Sequence, residues 1–140
     1  MWALTRSARW LEAGATALRG GRPAEAESQF NTGLRMLAAD KRQRMFGEEA
    51  LWYAKRGAAR VALNRVDEAE MDLHRAVAAE SRTWVKGRVY TELGKIADLR
   101  RDRAAARANF QRAATLCEQD NDLPGADAAR QWIDTAYTRP

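Results

Sequence analysis

Apolar residues recur along this chain at intervals of three and four, and short polar runs interrupt the recurrence. Such spacing gathers the apolar positions on one face of an α-helix. From Ser7 to Arg19, Trp10, Ala13, Gly14, Ala17 and Leu18 share a face, and Gly20-Gly21-Arg22-Pro23 breaks it. Pro23 suits the first turn of the next helix, where its missing N–H is not needed. That helix carries Ala26, Phe30, Gly33, Leu34 and Leu37 and runs to about Asp40. A second pair places Tyr53 and Gly57 before a turn at Asn64 to Asp67, with Ala69, Leu73 and Ala76 after it. A third places Tyr90, Leu93, Gly94 and Ala97 before a charged turn, with Ala106, Phe110 and Ala113 after it and an end near Gln119. Beyond the polar run Asp120-Asn121-Asp122, a last helix from Pro124 to about Tyr137 aligns Ala129, Trp132, Ile133 and Ala136. The pattern predicts seven helices, three pairs and a cap.

The pairs are copies of one unit. Gly14, Gly57 and Gly94 are spaced by 43 and 37 residues, and Ala26, Ala69 and Ala106 repeat both intervals, as do Phe30, Leu73 and Phe110. Small residues at the glycine and alanine positions let two backbones approach closely, and the large residue one turn later fills the space beside that contact. Each pair still has an apolar flank that only a neighbouring pair covers, so the units are expected to stack. Gly47 and Gly87 mark expected breaks before the following helices.

Tyr90, Leu93, Gly94 and Ala97, followed by Ala106, Phe110 and Ala113, resemble the tetratricopeptide pattern W-x2-L-G-x2-Y then A-x3-F. The resemblance covers the chain as three units, residues 7–40, 50–80 and 87–119, with a capping helix at 124–137, all in one domain. It implies an all-α, right-handed superhelical stack of antiparallel helix pairs, an α-solenoid that binds other proteins. Two departures stand out. The repeat exceeds the usual length of about 34 residues, and the proline that commonly ends such a unit is absent from all three.

The formal charge of +5 comes mostly from arginine, with lysines only at 41, 55, 86 and 95, and it favours acidic partners, nucleic acid among them. Three prolines, abundant alanine and few β-branched residues agree with an all-helical chain. No long uncharged apolar run exists, and Arg6, Arg9 and Glu12 interrupt what would be a signal peptide's apolar region. We therefore expect a soluble cytoplasmic protein without membrane insertion. The single cysteine, Cys117, has no disulfide partner in the chain, and no Cys/His cluster has zinc spacing.

No catalytic constellation is expected, and neither a cofactor nor a metal. His74 lies between Leu73 and Arg75 without a matching nucleophile and reads as a surface residue. Gly20-Gly21 lack the lysine and preceding strand of a phosphate loop. Asp120 and Asp122 read as capping residues rather than calcium ligands. Asp67, Glu68, Glu70 and Asp72 cluster at a helix start, where the dipole favours negative charge. Cys117 reads as a packing residue whose pKa Glu118 raises. Of the tryptophans at 2, 10, 52, 84 and 132, Trp10 and Trp132 are expected on the core face, Trp52 and Trp84 partly exposed at unit junctions. Lys41-Arg42-Gln43-Arg44 and Arg100-Arg101-Asp102-Arg103 read as solvated turns.

In tetratricopeptide arrays the first helix of each unit lines the concave side. That resemblance assigns to the groove Leu11, Ala15 and Leu18, then Leu51, Ala54, Lys55, Ala58 and Val61, with Arg88 and Lys95 and the nearby Ala8, Thr91 and Asp98. The first two sets form an apolar arc wider than packing within a pair requires. A partner's helix or extended peptide would cover it, or a second copy, or the chain's own Met1-Trp2-Ala3-Leu4, or a tight superhelix. Leu11 and Ala15 stand where carboxylate-clamp members of the family carry lysine and asparagine, so that clamp is not expected, although Lys55 and Arg88 keep basic character nearby. The leading expectation is a non-enzymatic protein–protein interaction scaffold, probed by Leu11→Glu with Leu51→Glu. The alternatives are a basic nucleic-acid-binding helical repeat and a self-assembling structural protein.

Overall fold

The computed structural model describes residues 2–41 and 44–139, with side chains from residue 8 onward. The described residues form seven helices and no strand: α1 (Trp2–Arg19), α2 (Pro23–Ala39), α3 (Glu48–Ala62), α4 (Val66–Ala78), α5 (Thr83–Leu99), α6 (Arg103–Gln119) and α7 (Leu123–Asp134). Within each pair the helices pack on each other, and α3 and α5 also touch the first helices on either side, α1 and α7 included. The second helices α2, α4 and α6 make no such contact with one another among the described residues. The pairs therefore stack through the row of first helices α1, α3, α5 and α7 and also through each second helix on the next first helix, α2 on α3, α4 on α5 and α6 on α7.

One turn geometry recurs. Gly21, Asn64, Arg101 and Asn121 all sit at positive φ, 59° to 75°, after α1, α3, α5 and α6. Each turn closes with the same two backbone bonds, as in Asn64 N–H to Val61 O at 2.9 Å and Arg65 N–H to Arg60 O at 2.9 Å. These satisfy carbonyls that a helix end otherwise leaves orphaned. The connections from α2 to α3 and from α4 to α5 differ, leaving the helix through extended residues, Asp40 and Ala79. There lies the excess repeat length, in the links rather than in longer second helices.

The spacing of small and large residues packs as expected. Ala26, Ala69 and Ala106 are fully buried, and so are Phe30, Leu73 and Phe110. A Cβ at Gly57 would lie 2.7 Å from Leu73 Cδ2, and one at Gly94 2.6 Å from Phe110 Cε1; at Gly14 it would meet the Phe30 ring. Gly47, at φ 77°, does end a link and begin α3. Gly87 does not mark a break. It lies inside α5, where a Cβ would stand 2.5 Å from Cys117 Sγ, so it is a close-approach glycine between α5 and α6.

Trp52 is not at the surface. It is 2% exposed and sits edge-on to Phe30, at 6.4 Å and 85°, where the missing side chain of Gly33 makes room between the first two pairs. Trp10 packs partly buried against the same cluster, and Trp84 is half-exposed. The expectation for Trp2 lies outside the described side chains.

The junction of the first two pairs also holds a polar network. Asp72, its side chain 2% exposed, accepts from Arg56 Nη2 at 2.7 Å and Arg60 Nη1 at 2.9 Å. Glu27 accepts from Arg60 Nε at 2.8 Å and from Arg65, and Arg56 Nη1 donates to Asn31 Oδ1 at 3.0 Å. Burial pushes the Glu27 carboxyl up, but the bonds from Arg60 and Arg65 outweigh it and hold it below the usual range. Asp67 and Glu68 do occupy the first turn of α4, whereas Asp72 belongs to this network, because it faces α3.

α7 ends at Asp134, short of the expected Tyr137, and Ala136 is exposed outside it. Arg103 Nη2 donates to the carbonyls of Trp132 and Ile133, both at 2.6 Å, and satisfies the helix end. The chain then returns to the core. Tyr137 N–H donates to Asp98 Oδ2 at 2.8 Å, and its ring stands edge-on to Trp132 at 5.1 Å.

Cys117 is fully buried on α6. Its thiol is pushed up to about 11, first by burial and then by the nearby Asp122 carboxylate. Glu118 is exposed and is not the cause. Thiolate is the reactive species. A disulfide reagent at pH 8 is therefore expected to leave the folded protein unmodified for as long as it stays folded, and to titrate one thiol at once in denaturant. Fast native reaction would contradict this packing.

Candidate functional site

The row of first helices carries two adjoining hollows of about 270 Å³ each. Leu18, Leu51, Ala54, Lys55 and Ala58 line the first from α1 and α3, facing Arg88 and Lys95 of α5. Their α3 positions, 51, 54, 55 and 58, follow the three-and-four spacing of one helix face. The second hollow is bounded by Ala8 and Leu11 of α1, by Met45 and Phe46 of the α2–α3 link, and by Arg82 at its rim. Leu51, Trp84 and Val85 line both hollows, which therefore adjoin as a groove of two parts.

All ten expected groove residues from Leu11 to Lys95 lie on the first helices α1, α3 and α5, and eight of them line the groove. Ala15 is half-buried on α1 and touches neither hollow. Nor does Val61 of α3 line the groove. It is 1% exposed in the core with Leu73, Val89 and Ile96, because α5 packs over the last turn of α3. Asp98 also leaves the groove, its carboxylate held by Arg103 Nη1 at 2.8 Å and by Tyr137 N–H. Thr91 lines the first hollow.

Three further segments, not expected from the sequence, contribute to the groove. Met45 and Phe46 come from a link rather than a helix, and they are 53% and 68% exposed. Trp84 and Val85 precede the glycine at which a break was expected. Ala128, Gln131 and Trp132 of α7 form a wall of the first hollow, so this helix lines the groove besides covering α6. Their spacing of three and four was legible, had α7 been compared with first helices.

The groove's charges are unevenly balanced. Arg88 Nε donates to Asp122 Oδ2 at 2.7 Å; that bond raises the guanidinium pKa and, with Arg88 as its main cause, lowers the Asp122 carboxyl. Burial pulls Lys95 down, but Glu92 at 3.0 Å more than offsets it, and the ammonium also faces the Tyr137 ring at 5.1 Å. Lys55 is lowered, by burial first and then by Arg88 and Arg19.

Elsewhere the basic runs are partly neutralised. Arg100 bonds Asp67 at 2.7 Å and Glu70 at 2.9 Å, and Arg103 holds Asp98, which leaves Arg101 exposed in that turn. Arg42 and Gln43 of the other run lie outside the described residues. So do the side chains of Met1 to Leu4, and with them the reading that the chain's own start covers the groove. His74 is exposed, 3.8 Å from Glu70 on its own helix. Among the described residues no group of three or more His, Cys, Asp or Glu is placed to hold a metal. Asp102 and Asp122 cap α6 and α7 by accepting from Ala105 N–H and Gly125 N–H, and Asp120 accepts from Trp84 N–H. No helix among the described residues is long and apolar enough to cross a membrane. Neither a family model, nor a curated protein, nor a solved structure matches this chain.

Proposed function

We propose that the chain is a tetratricopeptide-like, non-enzymatic module that binds another protein's apolar segment along the row of first helices. The observation that carries this reading is the groove of two adjoining hollows in which Leu11, Leu18, Leu51, Ala54 and Ala58 stay partly exposed among α1, α3, α5 and α7. Apolar surface arranged as a trough and rimmed by charge is the form that accepts an amphipathic helix or extended peptide. The internal pairing of Arg100 and Arg103 leaves the nucleic-acid reading with less support.

The test is capture of protein from native lysate by the full chain. Leu11→Glu with Leu51→Glu is expected to weaken capture at least about tenfold, because charge replaces two anchors at the wall of both hollows. Phe46→Asp, at an exposed link residue, serves as a second variant that leaves the helix packing intact, and circular dichroism checks folding. Capture and oligomeric state that survive in both folded variants would remove the proposal. A steep loss of binding with rising salt would report phosphate contacts instead.

A further inference from the structure

Among the described residues, the basic side chains of the groove have acidic partners in their own chain, with one exception. Arg88 is held by Asp122 at 2.7 Å, Lys95 by Glu92 at 3.0 Å, and Arg82 at the rim by Asp120 at 3.5 Å. Lys55 makes no hydrogen bond or ion pair among the described residues. It stands half-buried on α3 between Leu51 and Ala58, and the charges that act on it, Arg88 and Arg19, are both positive. An ammonium partly removed from water beside two like charges is disfavoured, and a carboxylate placed against it would relieve both penalties.

Position narrows the occupant further. Leu51, a wall of both hollows, precedes Lys55 by one helical turn, about 6 Å along the axis. The apolar hollow of Leu11, Phe46 and Trp84 lies on the Leu51 side. On the other side the groove runs on past Lys55 to Ala58, Lys95 and Trp132, so a bound chain has room to continue in both directions. A phosphate backbone would leave the apolar walls unfilled.

We infer that the occupant is a protein segment with a bulky apolar side chain in the Leu11–Phe46 hollow and an internal Asp or Glu within about one helical turn of it, its carboxylate on Lys55. The inference rests on the groove reading above. The carboxylate is a side chain rather than a chain terminus, since the groove extends beyond Lys55.

The experiment pans a phage-displayed library of short random peptides against the whole chain and against Lys55→Gln, Lys55→Glu and Leu51→Glu, each checked for folding by thermal melting. Peptides selected by the unmodified chain are expected to pair an apolar residue with an acidic one at close spacing. Remade with Gln for that acid, they should lose about tenfold in affinity. Lys55→Gln should erase the acidic preference, and Lys55→Glu should reverse it toward Lys or Arg. Peptides that need Leu51 but show no acidic preference would overturn the inference and leave the groove reading standing. Acidic residues found only at the peptide's free C-terminus would overturn the internal placement. Selection that is indifferent to Leu51 would overturn both.

Discussion

Asp72→Ala is expected to destabilise the fold by about 3 kcal/mol or more, read from chemical denaturation followed by circular dichroism. The carboxylate is 2% exposed and accepts from Arg56 Nε and Nη2 and from Arg60 Nη1. Removing it leaves Arg56 without a carboxylate partner among the described residues and takes one of the partners of Arg60, and these two side chains are only 15% and 14% exposed. Unpaired charge of that kind accounts for the large cost, more than the lost attraction does. Arg60 keeps Glu27 and Arg56 keeps Asn31, so the loss is not complete. Asp72→Asn keeps the shape and one acceptor and should cost less than Asp72→Ala. Equal stability of wild type and Asp72→Ala would show that the network is not formed in solution.

Phe110→Ala is expected to cost about 3 to 5 kcal/mol by the same measurement. The ring is fully buried and lies over Gly94, with Val89, Ile96 and Ala106 in the same cluster. Truncation leaves a cavity that helices held by tight turns do not close. Gly94→Ala supplies the converse. It gains helix propensity of about 1 kcal/mol but drives a Cβ to 2.6 Å from the ring, so net destabilisation is expected. A stabilised Gly94→Ala would mean that the two helices separate more easily than this packing allows.

The helices were legible because their apolar period is strong and their turns carry Gly, Asn, Asp and Pro. The repeat was legible because close packing demands small residues at fixed places, as Gly57 against Leu73 illustrates. Helix ends were not. The end of α7 depends on Arg103 reaching across from α6, a contact between residues about thirty apart that no local pattern announces. For the same reason Gly87 read as a break although it serves the contact with Cys117.

The groove was half legible. Spacing on α3 placed Leu51, Ala54, Lys55 and Ala58 together, but one further turn put Val61 under α5, where tertiary packing overrides the face. The link residues Met45 and Phe46 have no periodicity to betray them. Asp72 looked like part of an acidic helix start, and only the approach of Arg56 and Arg60 separates it from Asp67.

Helix pairs that touch only their immediate neighbours behave as a linear chain of units, each gaining most of its stability at shared borders. Here the middle pair has two borders, and the outer elements α1, α2 and α7 have fewer. The charged cluster that joins Glu27 of α2 to Arg60 and Asp72 of the middle pair rivets one of those borders. Opening is then expected to begin from the ends, and a polar seam joins the first pair to the middle one beside the packing of Trp52. Groove binding would therefore tie together the units that otherwise loosen first, because the trough draws its walls from α1, α3, α5 and α7 alike.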